Sequence, residues 1–249
     1  MMRGMQNDFS RPLAVMAIVN RTPDSFYDKG KTFALDAAVA AGAAAFEAGA
    51  TIVDVGGVKF APGPAVAIED EIALVVPVVR ELALLGDVSV DTFHPAVARA
   101  AIEAGAAIIN DTTGLRDPQM ADVVADSEAR IVIAHSLATP RTQHPLPHYD
   151  DVTAEVGAFL RQRSDLALER GIPAERIIID PGHDLNKNTL QTLEITRRLD
   201  EIAAIGFPLL VALSNKDCIG EAVGRGRDQR GAGSLAAAGF CVLHGAGIV

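Results

Sequence analysis

Polar residues follow the apolar runs of this sequence, and their types fit the binding of a small polar molecule. Short runs rich in Val and Ile each end at a residue that hydrogen bonds or ionises. In chain order these residues are Asn20, Asp54, Asp91, Asn110 with Asp111, His135, Asp180, and Ser214 with Lys216. Because Asp and Asn each form two-point hydrogen bonds, such side chains in an apolar cup suit a flat heterocycle with donor and acceptor edges.

The same residues have a simpler explanation, because Asp and Asn at strand ends often cap the following helix. That explanation is sufficient for a single residue, but a ring of carboxylates and amides with one lysine is costly to assemble without a ligand. Lys216 and Asn20 are then expected to contact anionic or metal-bound groups. Pairing of Lys216 with Asp217 or Glu221 is the alternative. His135 is either a general acid or base or a wall residue that donates a hydrogen bond.

Hydrophobic spacing predicts the elements that position these residues. The apolar runs predict strands at residues 13–19, 51–55, 88–90, 107–109, 131–134, 177–179 and 207–213. Apolar residues at three- and four-residue spacing predict helices at 34–48, 68–84, 95–104, 118–125, 150–170, 189–204 and 231–244. Strands that are apolar on both faces and joined by helices indicate a parallel sheet, either doubly wound or closed as a barrel. In a barrel, the polar strand ends share one rim.

The segments Glu47-Ala48-Gly49-Ala50 and Glu103-Ala104-Gly105-Ala106 are similar and indicate a repeated strand–helix unit. An eighth strand would begin at residues 247–249, where the sequence stops. We therefore expect one α/β domain over residues 1–249. It would be a (β/α)8 TIM barrel that lacks its last strand and helix through C-terminal truncation, unless another element closes it.

Composition excludes several classes of protein. With 22 Lys and Arg against 32 Asp and Glu, the net charge of -10 disfavours nucleic acid or an anionic membrane as a partner. Neither a GxGxxG nor a GxxxxGK[ST] motif occurs. Cys218 and Cys241 are expected to be buried thiols in a reducing cytoplasm. Residues 231–249 carry no charge, which we interpret as a buried helix and strand rather than a membrane span. No secretory signal is visible, so a cytoplasmic location is expected.

Several segments resemble the dihydropteroate synthase family over nearly the whole sequence. Residues 16–26, MAIVNRTPDSF, resemble its first signature, and Asp54-Val55-Gly56-Gly57 with Pro62-Gly63 resembles its second. The remaining matches, in the order and spacing of the family, are Ser89-Val90-Asp91-Thr92, Ile109-Asn110-Asp111, Asp180-Pro181-Gly182 and Ser214-Asn215-Lys216.

The resemblance implies a (β/α)8 barrel that condenses hydroxymethyl-dihydropterin pyrophosphate with p-aminobenzoate in folate biosynthesis, with Mg²⁺ assisting pyrophosphate release. It also implies a homodimer. The pterin-binding set would be Asp91, Asn110, Asp180 and Lys216, of which Asp91, Asp180 and Lys216 are also expected to be catalytic. Asn20 would contact magnesium and pyrophosphate, and Ser214 the aminobenzoate. The expected substrate-binding set further includes Asp54, His135, Lys59 and Arg21.

The sequence departs from the family pattern on the anion and aminobenzoate side. After Gly57 the family has Glu-Ser-Thr-Arg-Pro-Gly, whereas residues 58–61 are Val-Lys-Phe-Ala. Asn215 replaces an arginine, Arg21 replaces a valine, and the Arg-x-His motif of the eighth strand is absent from the sequence. Lys59 and Arg21 are expected to restore part of the missing charge, although a lysine lacks the bidentate fork of arginine. Two alternatives remain: a paralogue that binds a pterin-like heterocycle without condensing it, and a pterin methyltransferase acting on methyltetrahydrofolate.

Overall fold

A computed structural model describes residues 13–21 and 35–249. Residues 22–26 of the first signature and the N-terminal residues 1–12 lie outside the described residues. Within the described part, parallel strands pair in chain order. They are β1 (Met16–Asn20), β2 (Ile52–Gly56), β3 (Asp87–Asp91), β4 (Ile108–Asp111), β5 (Arg130–Ala134) and β6 (Ile177–Asp180).

Two short segments close this sheet into a barrel. Leu209 bridges to Ile179 of β6, and Leu210 bridges to Ile248, which in turn bridges to Ala14 beside β1. The Ala14 amide donates to the Gly247 carbonyl at 3.0 Å, so the ring of backbone hydrogen bonds is continuous. Residues 247–249 thus occupy the position of the eighth strand. The sequence predicted that an eighth strand would begin at these residues, and they close the barrel through isolated bridges rather than through a full strand.

The helices lie on the outside of the barrel. In the described residues they are α1 (Leu35–Glu47), α2 (Ile68–Leu82), α3 (Pro95–Glu103), α4 (Gln119–Ala125), α5 (Val152–Glu169), α6 (Thr189–Arg197), α7 (Leu199–Ala203), α8 (Asp217–Val223) and α9 (Gly231–Leu243). Gly49 and Gly105 follow α1 and α3 with φ of 101° and 109°. This left-handed conformation ends each helix before the next strand and confirms the repeated stop signal.

The apolar core has two layers, one between the sheet and the helices and one inside the barrel. The inner layer, which we call the barrel floor, consists of Ile52, Ile108, Val132, Ile178, Leu210 and Ile248. Most of the strands and both closing segments contribute to it. The barrel is therefore filled with apolar side chains below the level of the polar strand ends.

Three predicted elements differ from those observed. The strand predicted at 207–213 is reduced to isolated bridges at Leu209 and Leu210. The helix predicted at 189–204 is divided at Arg198, where α6 ends and α7 begins. The uncharged segment 231–249 is not a buried helix, because Cys241 is the one fully buried residue that the structure describes in α9. No helix among the described residues is both long enough and apolar enough to cross a membrane. Cys218 and Cys241 are both buried free thiols, as expected.

Candidate functional site

Alternation along the strands decides which predicted residues face the inside of the barrel. Residues two positions after members of the barrel floor point in the same direction. Asp54, Asn110 and Asp180 therefore face the interior, one layer above the floor. Asp91 is the register partner of Asn110, and Asn20 and Asp91 are both register partners of Gly56. We call this end of the barrel the mouth.

Asp54 and the partly buried Asn110 form a hydrogen-bonded pair in the mouth. The Asn110 Nδ2 amide donates to Asp54 Oδ2 at 3.2 Å. The other oxygens of this pair, Asp54 Oδ1 and Asn110 Oδ1, are buried and have no hydrogen-bond partner among the described residues. Burial raises the pKa of Asp54. The pair therefore offers acceptor atoms to a ligand that brings N–H groups.

Asp91 lies in a concentration of negative charge. Burial raises the pKa of Asp91 well above its usual value, and the nearby carboxylates of Asp54 and Glu71 raise it further. The positive charge of Lys216 opposes this rise. Hydrogen-bond donors of a ligand would stabilise the charged form of the Asp91 carboxyl and so lower its pKa.

Glu71 is a buried acid that sequence reasoning missed. Its side chain on α2 is fully buried, and neither carboxylate oxygen has a hydrogen-bond partner in the described part of the chain. Its Oε2 lies 4.0 Å from His94 Nε2. Burial raises the pKa of Glu71 to about 7. In the sequence it is one of three acids in the first turn of α2, which is typical of a helix N-terminus and gives no sign of burial.

Asp180 and Lys216 lie on the other side of the mouth. Asp180 Oδ1 accepts from the Gly182 amide at 2.7 Å, and burial raises the pKa of Asp180 while Lys216 opposes the rise. Lys216 Nζ donates to the His183 carbonyl at 2.5 Å. The two acids that the sequence offered as ion-pair partners of Lys216 form other contacts. Asp217 pairs with Arg230, and Glu221 accepts a hydrogen bond from Thr189. The charge of Lys216 is thus directed at the mouth.

His135 is not brought together with these residues. It follows β5 at an outward-facing position, and its ring meets Phe159 of α5 edge-on at 4.8 Å. Its Nδ1 accepts from Lys187 Nζ at 2.9 Å. Burial, followed by the charge of Lys187, lowers the pKa of His135 to about 3, so the ring is neutral at physiological pH. This placement does not favour a direct role as general acid or base.

Lys187 is a second buried group that the sequence reasoning missed. Besides the His135 ring, its Nζ donates to the carbonyls of Gly182 and Leu185 at 2.9 and 3.0 Å. Burial lowers the pKa of Lys187 to about 7. It precedes Asn188, which caps α6 in a reciprocal capping box with Gln191. Lys187 therefore ties the loop after β6 to the end of β5, beneath Asp180.

The remaining predicted residues lie around the mouth or away from it. The Arg21 guanidinium donates to the Leu74 carbonyl of α2 at 2.6 Å, which directs it toward the helix layer. Ser214 is exposed in the turn before α8, and Lys59 is half-buried in the loop between β2 and α2. Asp111 caps a turn, accepting from the amides of Thr113 and Leu115.

A magnesium ion fits this site only with help from a ligand. No group of three or more His, Cys, Asp or Glu side chains among the described residues could hold a metal ion. Asn20 ends β1 with its Oδ1 3.3 Å from the point where a Cβ on Gly56 would lie. Magnesium is commonly held by one or two protein oxygens together with phosphate oxygens and waters, and a single amide oxygen is consistent with that arrangement.

The fold and the mouth define a parallel α/β barrel with a polar, acid-rich site at the carboxyl ends of its strands. The family model described as "Pterin binding enzyme" matches residues 16–249, and the chain belongs to this family. It is 42% identical over 250 residues to "Inactive dihydropteroate synthase 2" of Mycobacterium leprae (strain TN), covering 94% of this chain and 85% of that protein. It is 38% identical to dihydropteroate synthase of Escherichia coli (strain K12), covering 99% of this chain and 88% of that protein.

The chain is also similar to a solved dihydropteroate synthase structure. Dihydropteroate synthase of Xanthomonas albilineans with 4-aminobenzoic acid superposes with a TM-score of 0.87 and 43% identity, covering 96% of this chain and 86% of that chain. The relatives thus include both synthases and proteins named as inactive. The dihydropteroate synthase-like character of the chain and its α/β barrel fold are confirmed.

Proposed function

We propose that this chain binds a pterin in the mouth of its barrel. The observation that carries this proposal is the set of interior-facing acceptors, Asp54, Asp91, Asn110 and Asp180, above an apolar floor. A pterin ring is flat and presents several N–H groups on one edge. Buried acceptors without partners match that edge, and the floor matches the ring face.

Each residue of the mouth receives a role in this proposal. Asp91, Asn110 and Asp180 hold the donor edge of the ring, and Lys216 donates to its acceptor atoms. Asp54 orients Asn110 through the 3.2 Å hydrogen bond between them. Asn20 and Lys59 serve the anionic group of the substrate, and Ser214 lies where the second substrate would enter.

The candidate reaction is that of a dihydropteroate synthase. The bond between the pterin methylene carbon and the pyrophosphate oxygen breaks, the amine nitrogen of p-aminobenzoate bonds to that carbon, and the amine loses a proton. Mg²⁺, when bound, neutralises charge on the departing pyrophosphate. Asp91 and Asp180 stabilise the positive charge that develops on the pterin during departure.

A second candidate is a paralogue that binds a pterin without condensing it. Residues 58–61, Val-Lys-Phe-Ala, stand where the family pattern has the Thr and Arg that would contact the substrate and its pyrophosphate. Lys59 supplies a point charge there without the bidentate fork of arginine. The relatives named as inactive are consistent with this second candidate.

One experiment separates the two candidates. Pyrophosphate release is measured with pterin pyrophosphate, p-aminobenzoate and Mg²⁺, beside calorimetric titration of hydroxymethyl-dihydropterin alone. Binding with turnover supports the synthase, and binding without turnover supports the paralogue. Absence of binding would contradict both. Asp165→Asn, an exposed change on α5, is the matched control for substitutions of the mouth carboxylates.

A further inference from the structure

Two loops that border the mouth are joined by one arginine. The loop between β2 and α2 carries residues 57–67, and Arg141 lies in the loop between β5 and α5. Arg141 Nε donates to the Pro64 carbonyl at 2.9 Å, and Nη1 donates to the Ala61 carbonyl at 3.1 Å. The guanidinium therefore holds two backbone positions of the other loop that are three residues apart.

Backbone and ring contacts extend this junction. The Arg141 amide donates to the Phe60 carbonyl, and the Gly63 amide donates to the Arg141 carbonyl, both at 3.3 Å. His144 Nε2 lies 3.2 Å from the same Phe60 carbonyl, and the Phe60 and His144 rings lie 4.9 Å apart. We call this set of contacts, made by Arg141 and His144 on residues 60–64, the clasp.

Two local features accompany the clasp: the backbone conformation of Arg141 and its close approach to Gly63. Arg141 has φ of 65°, a left-handed conformation that is uncommon for residues other than glycine. A Cβ on Gly63 would overlap the Arg141 guanidinium, so a larger residue there would require the guanidinium to shift from its present position. Backbone strain of this kind persists where surrounding contacts hold it in place and is concentrated at ligand sites.

We infer that Arg141 is a positioning residue that fixes the loop between β2 and α2 before ligand arrives. This inference rests on the proposed function, since the loop carries Lys59 next to the clasped Phe60. A loop that is already ordered loses less conformational entropy when a ligand binds beside it. Arg141 thereby sets the affinity and residence time of the pterin pyrophosphate, whose anionic group Lys59 serves, without needing to touch it.

The first test compares Arg141→Ala with Arg116→Ala, an exposed arginine after β4. Hydrogen exchange of the free protein should accelerate by about tenfold in residues 58–66 of Arg141→Ala, because two charged hydrogen bonds are lost. Exchange elsewhere and in Arg116→Ala should be unchanged. Hydroxymethyl-dihydropterin pyrophosphate, without p-aminobenzoate, should dissociate about fivefold faster from Arg141→Ala, reflecting the added cost of ordering the loop.

A double-mutant cycle with Gly63→Ala supplies the sharper test. Gly63→Ala should weaken the clasp when Arg141 is present, because the new methyl group meets the guanidinium. In the Arg141→Ala background the same substitution should have no further effect on loop exchange or pterin dissociation. Additive effects of the two changes would overturn the inference, because a general loss of loop stability would add.

The outcomes also separate this inference from the proposed function. Unchanged exchange in the loop of Arg141→Ala would overturn the clasp, even if pterin binds normally. Absence of pterin binding by the unaltered protein would contradict the proposed function while loop exchange still tests the contacts of Arg141. Faster exchange with unchanged pterin dissociation would overturn the positioning role.

Discussion

The mouth contains buried acids whose carboxylate oxygens are not all hydrogen-bonded. The carboxylate oxygens of Glu71 on α2 have no hydrogen-bond partner among the described residues, yet the charge of Glu71 raises the pKa of Asp91. A buried carboxyl in such a place costs stability whenever it ionises. The sequence predicted the acids at strand ends, but it could not show Glu71, because burial depends on how α2 packs against β2 and β3.

Glu71 makes stability depend on pH. Its pKa is about 7 when folded and near the usual 4.5 when unfolded. The folded state therefore holds the extra proton, and stability falls as pH rises from about 4.5 to about 7, then levels off. Glu71→Gln should remove this pH dependence and raise the free energy of unfolding at pH 8 by about 3 kcal/mol, with a much smaller change at pH 5. Urea unfolding of the unaltered protein and of Glu71→Gln at both pH values would measure this difference in unfolding free energy. The same pH dependence in both proteins would show that Glu71 is not its source.

Among the elements, six of the seven predicted strands and most helices are confirmed because their apolar spacing is repeated, whereas the strand predicted at 207–213 is present only as isolated bridges. The short helix α8 was not predicted, since Asp217–Val223 contains a glycine and too few turns to show a period. The division at Arg198 follows from contacts distant in sequence, because its guanidinium bonds to Asp151 before α5 as well as to Glu194 and Glu201. The outward position of His135 depends on which alternate residues of β5 face the barrel interior, and this is known only once the strand register is known.

The junction between the ends of β5 and β6 depends on Lys187. Lys187→Met should remove the donor to the His135 ring nitrogen and to the Leu185 carbonyl, whereas the Gly182 carbonyl would keep the Leu185 amide as a donor. Such a loss should cost about 2–4 kcal/mol of unfolding free energy. Arg116→Met is the control, because that side chain is exposed. Equal urea midpoints for the two variants would show that the buried ammonium does not stabilise this junction.

At the scale of the whole molecule, the outer face of α9 is unusually apolar. Leu235, Phe240 and Leu243 are 76%, 38% and 46% exposed, and the helix carries no charged residue. Exposed apolar side chains are typical of protein interfaces. The family resemblance implies a homodimer but no particular face, and we predict that two copies of the chain associate through α9.

Association of two copies would be tested by sedimentation of the unaltered protein and two variants. Leu235→Glu should shift the protein toward monomer, because a charge would be buried at the interface. Leu84→Glu places the same charge at a residue that is 82% exposed beyond α2 and should leave the mass unchanged. A monomeric unaltered protein, or a dimer insensitive to Leu235→Glu, would contradict an interface at α9.

Pterin recognition by the carboxylates of the mouth is the central claim, and calorimetry tests it most directly. Hydroxymethyl-dihydropterin would be titrated into the unaltered protein, Asp91→Asn, Asp180→Asn and the control Asp165→Asn. The account predicts equal binding by the unaltered protein and the control. Each mouth variant should bind at least about 30-fold more weakly, since an amide presents an N–H where the ring needs an acceptor. Equal affinity in all four proteins, or no binding by any, would contradict the account.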